Sequence, residues 1–135
     1  MAEEILKFTK LTFIIHFVIG LIFTILFFIP DIIAPLYGIS STTETRALGM
    51  VIGSLYAGLT ASSLFGFLAK EWKEVKIVVI AEIVWLVVGL IAHIINFSVY
   101  AIGSAVLSLI IVILFIVLFL LTFLQQEEKI KTLWK

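Results

Sequence analysis

The chain contains no cysteine, only two prolines and few charged residues. The absence of cysteine excludes disulfides, thiolate metal sites and thiol redox chemistry. Charged residues make up 13% of the 135 residues, against ~25% in an ordinary soluble domain, and 63% are hydrophobic. Phosphate loops, dinucleotide-binding fingerprints and basic nucleic-acid patches are also missing from the sequence. We therefore expect a membrane protein with no nucleic-acid partner.

The hydrophobic residues fall into four long blocks, at residues 11–29, 47–69, 77–95 and 101–124. At a rise of ~1.5 Å per residue, each block reaches ~28 to 36 Å, which matches a hydrocarbon core of ~30 Å. The sequence predicts an all-α fold, a four-transmembrane-helix antiparallel bundle, with residues 1–135 as a single membrane domain.

Lysine and arginine are distributed unevenly between the connections. Eight of them lie in the two tails and in the connection between the second and third blocks, whereas Arg46 alone lies on the other side. By the positive-inside rule, both termini face the cytoplasm. We expect a protein integral to the plasma membrane and surrounded by membrane lipids.

Local signals refine the bundle. Residues 41–44, Ser-Thr-Thr-Glu, predict a capping box at the start of the second helix. The apolar run from Pro30 to Gly38, bracketed by prolines, predicts a short excursion on the outer surface. The tail at residues 125–135 lacks helix breakers and is expected to continue the fourth helix. Trp72 lies among lysines, which is typical of an anchor at the headgroups.

The second block carries small residues at a spacing of four. Such rows let helix backbones approach closely, so this helix is predicted to be the central one, with neighbours on two sides. The two rows are Gly49, Gly53, Ala57, Ala61 and Ser54, Gly58, Ser62, Gly66.

Three polar residues from three blocks share one depth. His16, Ser62 and Glu82 each lie four residues from the midpoint of their block, which is ~6 Å toward the cytoplasmic side. Glu82 is the one formally charged residue inside any block, and a charge at this depth costs at least ~2.5 to 3.5 kcal/mol. We expect these side chains to converge in an interior pocket that binds a ligand, with Trp85 at its edge. The alternative is that Glu82 only fixes helix register through a hydrogen bond to His16 or Ser62.

A second, outer set of polar residues comprises Arg46, His93 and Asn96. Arg46 is expected to pair with Asp31 or Glu44, with an anion or a lipid headgroup as the alternative partner. His93 and Asn96 are interpreted as a hydrogen-bonding pair. The two histidines are separated by eleven residues of depth, or ~16 Å, so one iron cannot bind both. We therefore predict neither a metal site nor a cofactor.

Two short motifs flank the first connection. Pro35-Leu36-Tyr37-Gly38 follows the first block, and Glu44-Thr45-Arg46-Ala47-Leu48-Gly49 opens the second. Together they resemble the DoxX-like class of small four-helix membrane proteins, over about a third of the chain. The resemblance implies a four-helix bundle with an outer-facing arginine, Arg46. Some members of that class are membrane subunits of quinone-linked oxidoreductases, which favours a lipophilic ligand or partner.

Several functions are compatible with these features. The first hypothesis is a protein that binds a lipophilic small molecule, lipid or quinone-like, inside the bundle. The second is an accessory subunit of a larger membrane complex, or a homo-oligomer. The third is an isomerase that uses Glu82 and His16 as an acid-base pair. A proton pathway through Glu82 is a further variant, although no chain of ionisable residues crosses the four blocks.

Overall fold

The computed structural model describes residues 4–130, and this part of the chain forms five α-helices with no strand. Four of them are long and apolar enough to cross a membrane, which confirms the predicted all-α bundle. The fifth, α2, is a short helix between the first two spans. The helices are α1 at Lys7–Phe28, α2 at Pro30–Leu36, α3 at Thr43–Leu68, α4 at Trp72–Ile95 and α5 at Ile102–Gln126.

The spans pack in the order α3, α1, α5, α4. The closest pairs are α1 with α3 and α4 with α5, while α1 also packs on α5 and α3 meets α4 only sparsely. Among the first two spans, α1 therefore has two long neighbours, α3 and α5, whereas α3 has one close long neighbour, α1. The expectation that α3 is the central helix is wrong, and the weak α3–α4 contact leaves a groove open between these two helices.

Glycines explain the close packing of α3 against α1. A methyl group at Gly66 would lie 2.5 Å from Phe13 Cε1, and one at Gly53 would lie 3.2 Å from Phe28 Cδ2. On α1, a methyl group at Gly20 would lie 2.6 Å from Thr60 Oγ1. By contrast, a methyl group at Gly58 meets nothing within 4 Å. Glycines from both small-residue rows of α3 thus pack closely against α1, whereas Gly58 does not.

Both described chain ends meet at one end of the bundle, which we call the terminal end. The backbone N–H of Ile5 donates to the Lys70 carbonyl at 3.3 Å, and Gln126 Oε1 accepts from the backbone N–H of Leu6 at 2.7 Å. At the opposite end, called the α2 end, the N–H of Ala101 donates to the Tyr37 carbonyl at 2.9 Å. Which of these ends faces the cytoplasm stays a prediction.

The N-terminal cap of α3 differs by one residue from the cap that the sequence predicts. The cap of α3 is Thr42, whose Oγ1 accepts from the N–H of Thr45 at 3.3 Å while Thr45 Oγ1 accepts from the N–H of Thr42 at 2.8 Å. The predicted cap of Ser41 and Glu44 is therefore wrong by one residue.

The apolar run after Pro30 forms α2 and buries Ile33 and Ala34. The proline lies in the first turn of the helix, where its missing N–H costs nothing.

The tail does not continue α5 as predicted, because the helix ends at Gln126 and the chain turns back. Glu127 Oε1 accepts from Trp72 Nε1 at 2.7 Å and lies 2.8 Å from Lys76 Nζ. Trp72 is 1% exposed and belongs to the core, so its predicted position among the headgroups is wrong. The predicted helix beyond residue 130 lies outside the described residues.

Candidate functional site

Glu82 is the buried charge-bearing residue at the centre of the candidate site. Its side chain is 1% exposed, and its Oε1 accepts a hydrogen bond from Ser62 Oγ at 3.2 Å. Its Oε2 is buried with no hydrogen-bond partner among the described residues, and lies 3.9 Å from His16 Nε2. That separation is too long for a direct hydrogen bond but suits one bridging oxygen atom. His16 and Ser62 thus both lie beside Glu82, but the cavity that His16 lines and the groove that Ser62 lines are separate, so the three residues do not line one pocket.

His16 is fixed by a serine that the depth argument did not select. Its Nδ1 lies 2.6 Å from Ser63 Oγ, and Ser63 Oγ donates its one proton to the Leu59 carbonyl at 3.0 Å. Ser63 must then accept from Nδ1–H, which leaves the lone pair of Nε2 facing Glu82 when the imidazole is neutral. A proton on either Glu82 Oε2 or His16 Nε2 would therefore lie between these two side chains.

Two aromatic rings of α5 hold the imidazole ring in this orientation. Phe115 and Phe119 pack edge-on against His16, with ring centroids 4.6 and 5.2 Å away. Both phenylalanines are almost fully buried. These contacts restrict rotation of the imidazole ring, so Nε2 stays directed toward α4.

A narrow interior cavity of about 40 Å³ runs from His16 toward the α2 end. Its middle is lined by aromatic and aliphatic side chains, among them Trp85, which packs edge-on against Tyr56 at 5.7 Å. At the α2 end the cavity reaches Tyr37, Ser108 and His93. Trp85 thus lies at the edge of the site, as predicted.

The polar side chains at the α2 end of the cavity are oriented by hydrogen bonds. Tyr37 Oη and Ser108 Oγ lie 2.8 Å apart, and burial raises the pKa of Tyr37, so its hydroxyl keeps its proton at neutral pH. His93 Nδ1 donates to the Gly89 carbonyl at 2.8 Å, which makes its Nε2 an acceptor in the neutral ring. This end of the cavity offers both a donor and an acceptor.

A larger groove of about 560 Å³ lies between α3 and α4 on the terminal side of Glu82. Its walls are mainly apolar, and Ser62 lies at its membrane-buried end while Lys70 and Glu74 lie at its terminal end. Because Ser62 also donates to Glu82, the carboxyl group is one hydrogen bond away from the groove. The four predicted site residues are therefore divided: His16 and Trp85 line the cavity, Ser62 lines the groove, and Glu82 lines neither but lies beside His16 and Ser62.

Ser63, His16 and Glu82 follow one another in space in the order of a nucleophile, a base and an acid, but they do not form a catalytic triad. Ser63 is fully buried and lines neither the cavity nor the groove, and its hydroxyl proton goes to a carbonyl of its own helix. A substrate carbonyl has no path to Ser63 Oγ. The arrangement suits proton sharing and hydrogen bonding rather than acyl transfer.

The outer residues do not form one site. Arg46 Nη2 pairs with Asp31 Oδ1 at 2.8 Å, as expected, and its Nε donates to Ser41 Oγ at 3.2 Å. His93 and Asn96 each hydrogen-bond a carbonyl of their own helix instead of each other, so their predicted pairing is wrong. The reason is geometric, because side chains three or four residues along a helix reach back to its own carbonyls.

Sequence reasoning missed Tyr37 and Ser108 as cavity residues and did not assign Ser63 to His16. Tyr37 follows a helix-ending turn that no hydrophobic period describes, and its inward direction depends on α2. Ser108 had a usable signal, because it lies seven residues before Phe115 and so on the same face of α5. Ser63 is adjacent to Ser62, and only the rotation of α3 decides which serine faces which neighbour.

No protein-family model, no curated protein and no solved structure matches this chain.

Proposed function

We propose that this protein binds a lipophilic small molecule, lipid or quinone-like, in the groove between α3 and α4, with the polar end of the molecule at Ser62 and Glu82. The observation that carries the proposal is an apolar groove whose wall includes Ser62, a serine hydrogen-bonded to the buried carboxyl group of Glu82. Its volume of about 560 Å³ falls in the ~300 to 1,000 Å³ range of small-molecule sites.

The polar end of the groove supports recognition of an oxygen-bearing group. A ligand hydroxyl can donate to Ser62 Oγ, and a ligand carbonyl can accept from it when the serine proton turns away from the Leu59 carbonyl 2.7 Å away. The remaining walls, including Phe65, Leu68 and Val78, suit a hydrocarbon body.

The packing of the bundle supports access from the membrane. Since α3 and α4 are in sparse contact, a ligand can enter sideways without separating the closely packed pairs. The resemblance to DoxX-like proteins favours a quinone-like molecule within this class. A plasma-membrane location with both termini in the cytoplasm belongs to the same proposal, and it puts Lys70 at the level of the inner headgroups.

Thermal stability in detergent, with and without decylubiquinone or a long-chain fatty alcohol, tests the proposal. A ligand that binds only the folded protein raises the melting temperature, because binding at 100 times the Kd adds ~2.7 kcal/mol. We expect one of the two probes to stabilise the wild-type protein. Ser62→Ala should reduce this shift, since it removes the hydroxyl at the polar end of the groove.

Ser54→Ala is the matched control. Ser54 and Ser62 both donate to a carbonyl three residues earlier at 2.7 Å, but only Ser62 also reaches Glu82. Val78→Phe should block the groove, whereas Val84→Phe on the exposed side of α4 should not. The proposal would be refuted if the probe raised the melting temperatures of Val78→Phe and Val84→Phe equally. It would also be refuted if neither probe raised the melting temperature of the wild type.

A further inference from the structure

We propose that the cavity, the Glu82–His16 pair and the groove form a proton relay across the bundle. The relay takes protons from water at the α2 end and releases them toward the terminal end, or runs in the reverse direction. Its first half uses the cavity and its second half uses water in the groove, so it operates when no lipophilic molecule fills the groove.

The cavity has the size and the lining for a chain of water molecules. A water needs ~10 to 15 Å³ measured in this way and two to four polar partners, so about 40 Å³ holds about three waters. Six of the lining residues carry polar side-chain atoms, namely His16, Tyr37, Tyr56, Trp85, His93 and Ser108. The cavity is therefore suited to water despite its aromatic middle.

The length of the cavity matches the same number of waters. Ser108 marks the α2 end, and Phe115, which contacts the His16 ring, marks the other end. The seven residues between them correspond to ~10 Å along the helix. Three waters make four hydrogen bonds of about 2.8 Å, which cover about 11 Å.

Protons enter at a half-buried histidine. His93 lines the cavity and packs near Tyr100, at a ring distance of 6.2 Å, where α4 reaches the α2 end. Its Nε2 is an acceptor, and the Tyr37 hydroxyl beside Ser108 is a donor. These groups connect the outside water to the chain inside the cavity.

The Glu82–His16 pair passes the proton on. A proton that arrives through the cavity forms an N–H bond at His16 Nε2 while an O–H bond of the neighbouring water breaks. It then moves to Glu82 Oε2, through one water that spans the 3.9 Å gap. Each step breaks one bond to hydrogen and forms another, so the relay needs no oxidant or reductant.

Ser62 carries the proton from the carboxyl group to the groove. Its Oγ lies 3.2 Å from Glu82 Oε1 and also forms part of the groove wall. When the protonated carboxyl group turns, its O–H bond breaks as a new O–H bond forms at Ser62 Oγ. The serine's original proton turns away from the Leu59 carbonyl, 2.7 Å away, and passes to water in the groove. The groove then leads to Lys70 and Glu74 at the terminal end.

Few titratable or charged side chains surround the Glu82–His16 pair. From α1 the titratable neighbour is His16 itself, from α3 the nearest polar contacts are Ser62 and Ser63, and α5 contributes Phe115 and Phe119. No ion pair other than the one with His16 involves Glu82 within residues 4–130. A carboxyl group in such surroundings gains or loses its proton only through the two paths described.

Proton flux into liposomes containing the purified full chain tests the relay. A potassium gradient with valinomycin drives protons, and an enclosed pH-sensitive dye reports their entry. We expect the wild-type protein to conduct protons faster than protein-free liposomes, and Glu82→Gln to return the rate to that background. Glu44→Gln, which changes an exposed carboxyl group at the start of α3, should keep the wild-type rate.

A second pair of variants tests the cavity without changing Glu82. Val112 lines the cavity, whereas Val117 is 46% exposed on the same helix. We expect Val112→Phe to abolish the flux and Val117→Phe to leave it unchanged, with melting temperatures measured for both. Equal flux in these two variants, wild-type flux in Glu82→Gln, or a wild-type rate at background would each overturn the relay. None of these outcomes alters the ligand-binding test on the groove.

Discussion

At the residue scale, the unusual feature is a carboxyl group with one satisfied and one unsatisfied oxygen inside an apolar bundle. An unpaired buried polar atom costs free energy, so Glu82 Oε2 offsets part of the stabilisation that Oε1 gains through Ser62. Its residue type and depth could be read from the sequence, because it is the single charge within the four hydrophobic blocks. The choice of Ser63 over Ser62 for His16 could not, because adjacent helix positions differ only by rotation about the axis.

Replacement of Glu82 separates its hydrogen bonding from its charge. Glu82→Leu leaves Ser62 without its partner on α4 and removes the group that faces His16, so we expect a loss of ~1 to 3 kcal/mol in unfolding free energy. Glu82→Gln keeps an acceptor for Ser62 and should lose less. Thermal or denaturant unfolding in detergent measures both. A leucine variant as stable as the glutamine variant would show that these contacts contribute nothing to the fold.

Glu127 gives a pH-dependent contribution to stability. Hydrogen bonds from Lys76 and Trp72 hold its pKa below the ordinary value. Because the folded-state pKa is the lower one, the stabilisation is complete above the unfolded-state value of ~4.3 and is lost as the pH falls through the folded-state pKa. Glu127→Gln should therefore melt below the wild type at neutral pH, and this difference should vanish in acid.

The double variant Lys76→Met with Glu127→Gln is the control for this pH dependence. With the lysine already removed, adding Glu127→Gln should change the melting temperature less than it does in the wild-type protein. A difference between wild type and Glu127→Gln that persists unchanged at pH 3 would contradict the assignment.

At the element scale, the number and approximate length of the four spans were readable from hydrophobic runs, but the short helix α2 and the neighbours of each helix were not. Small residues occur on two faces of α3, and only contacts with α1 decide which face is buried. A methyl group at Gly89 of α4 likewise meets nothing within 4 Å, so this glycine is not required for close packing. The contact between α1 and α5 was also not readable from the sequence. Buried hydrogen bonds from Thr9 to Gln126 and from Thr122 to Thr12 join these helices, and no hydrophobic period reveals them.

Two glycines of α3 give opposite expectations for the same substitution. Gly66→Ala places a methyl group against the buried Phe13 ring, and overpacking of this kind costs ~1 to 3 kcal/mol. Gly58→Ala lies in open space within a helix and should be neutral or stabilising by ~0.4 to 1 kcal/mol. Melting temperatures of the two variants in one detergent give the comparison. The reverse order of stability would mean that α3 packs through its other face.

At the scale of the whole molecule, the chain folds as two close helix pairs, α1 with α3 and α4 with α5, joined through α1 and α5. This arrangement leaves the α3–α4 groove open, with Ser62 in its wall hydrogen-bonded to Glu82. The apolar outer face of α5 suits lipid and a partner helix equally, so it does not favour the accessory-subunit hypothesis.

Topology follows from the distribution of positive charge. Both described chain ends lie at the terminal end, together with Lys70 and Lys76. We expect this end to face the cytoplasm. Single cysteines introduced into the cysteine-free chain at Lys70 and at Ser41 allow this to be measured in intact cells with a membrane-impermeant thiol reagent. Labelling should occur at position 41 alone, and labelling at position 70 alone would reverse the orientation.

The most direct measurement of the central claim is native mass spectrometry of the protein after mild detergent extraction. If the groove at Ser62 and Glu82 binds a lipophilic molecule, the wild-type protein and the Ser54→Ala control retain the same additional mass at a stoichiometric level. The Val78→Phe variant, with its groove filled, loses that mass while remaining folded. A wild-type spectrum without bound lipophilic mass, or a mass retained equally by folded Val78→Phe, would contradict the account.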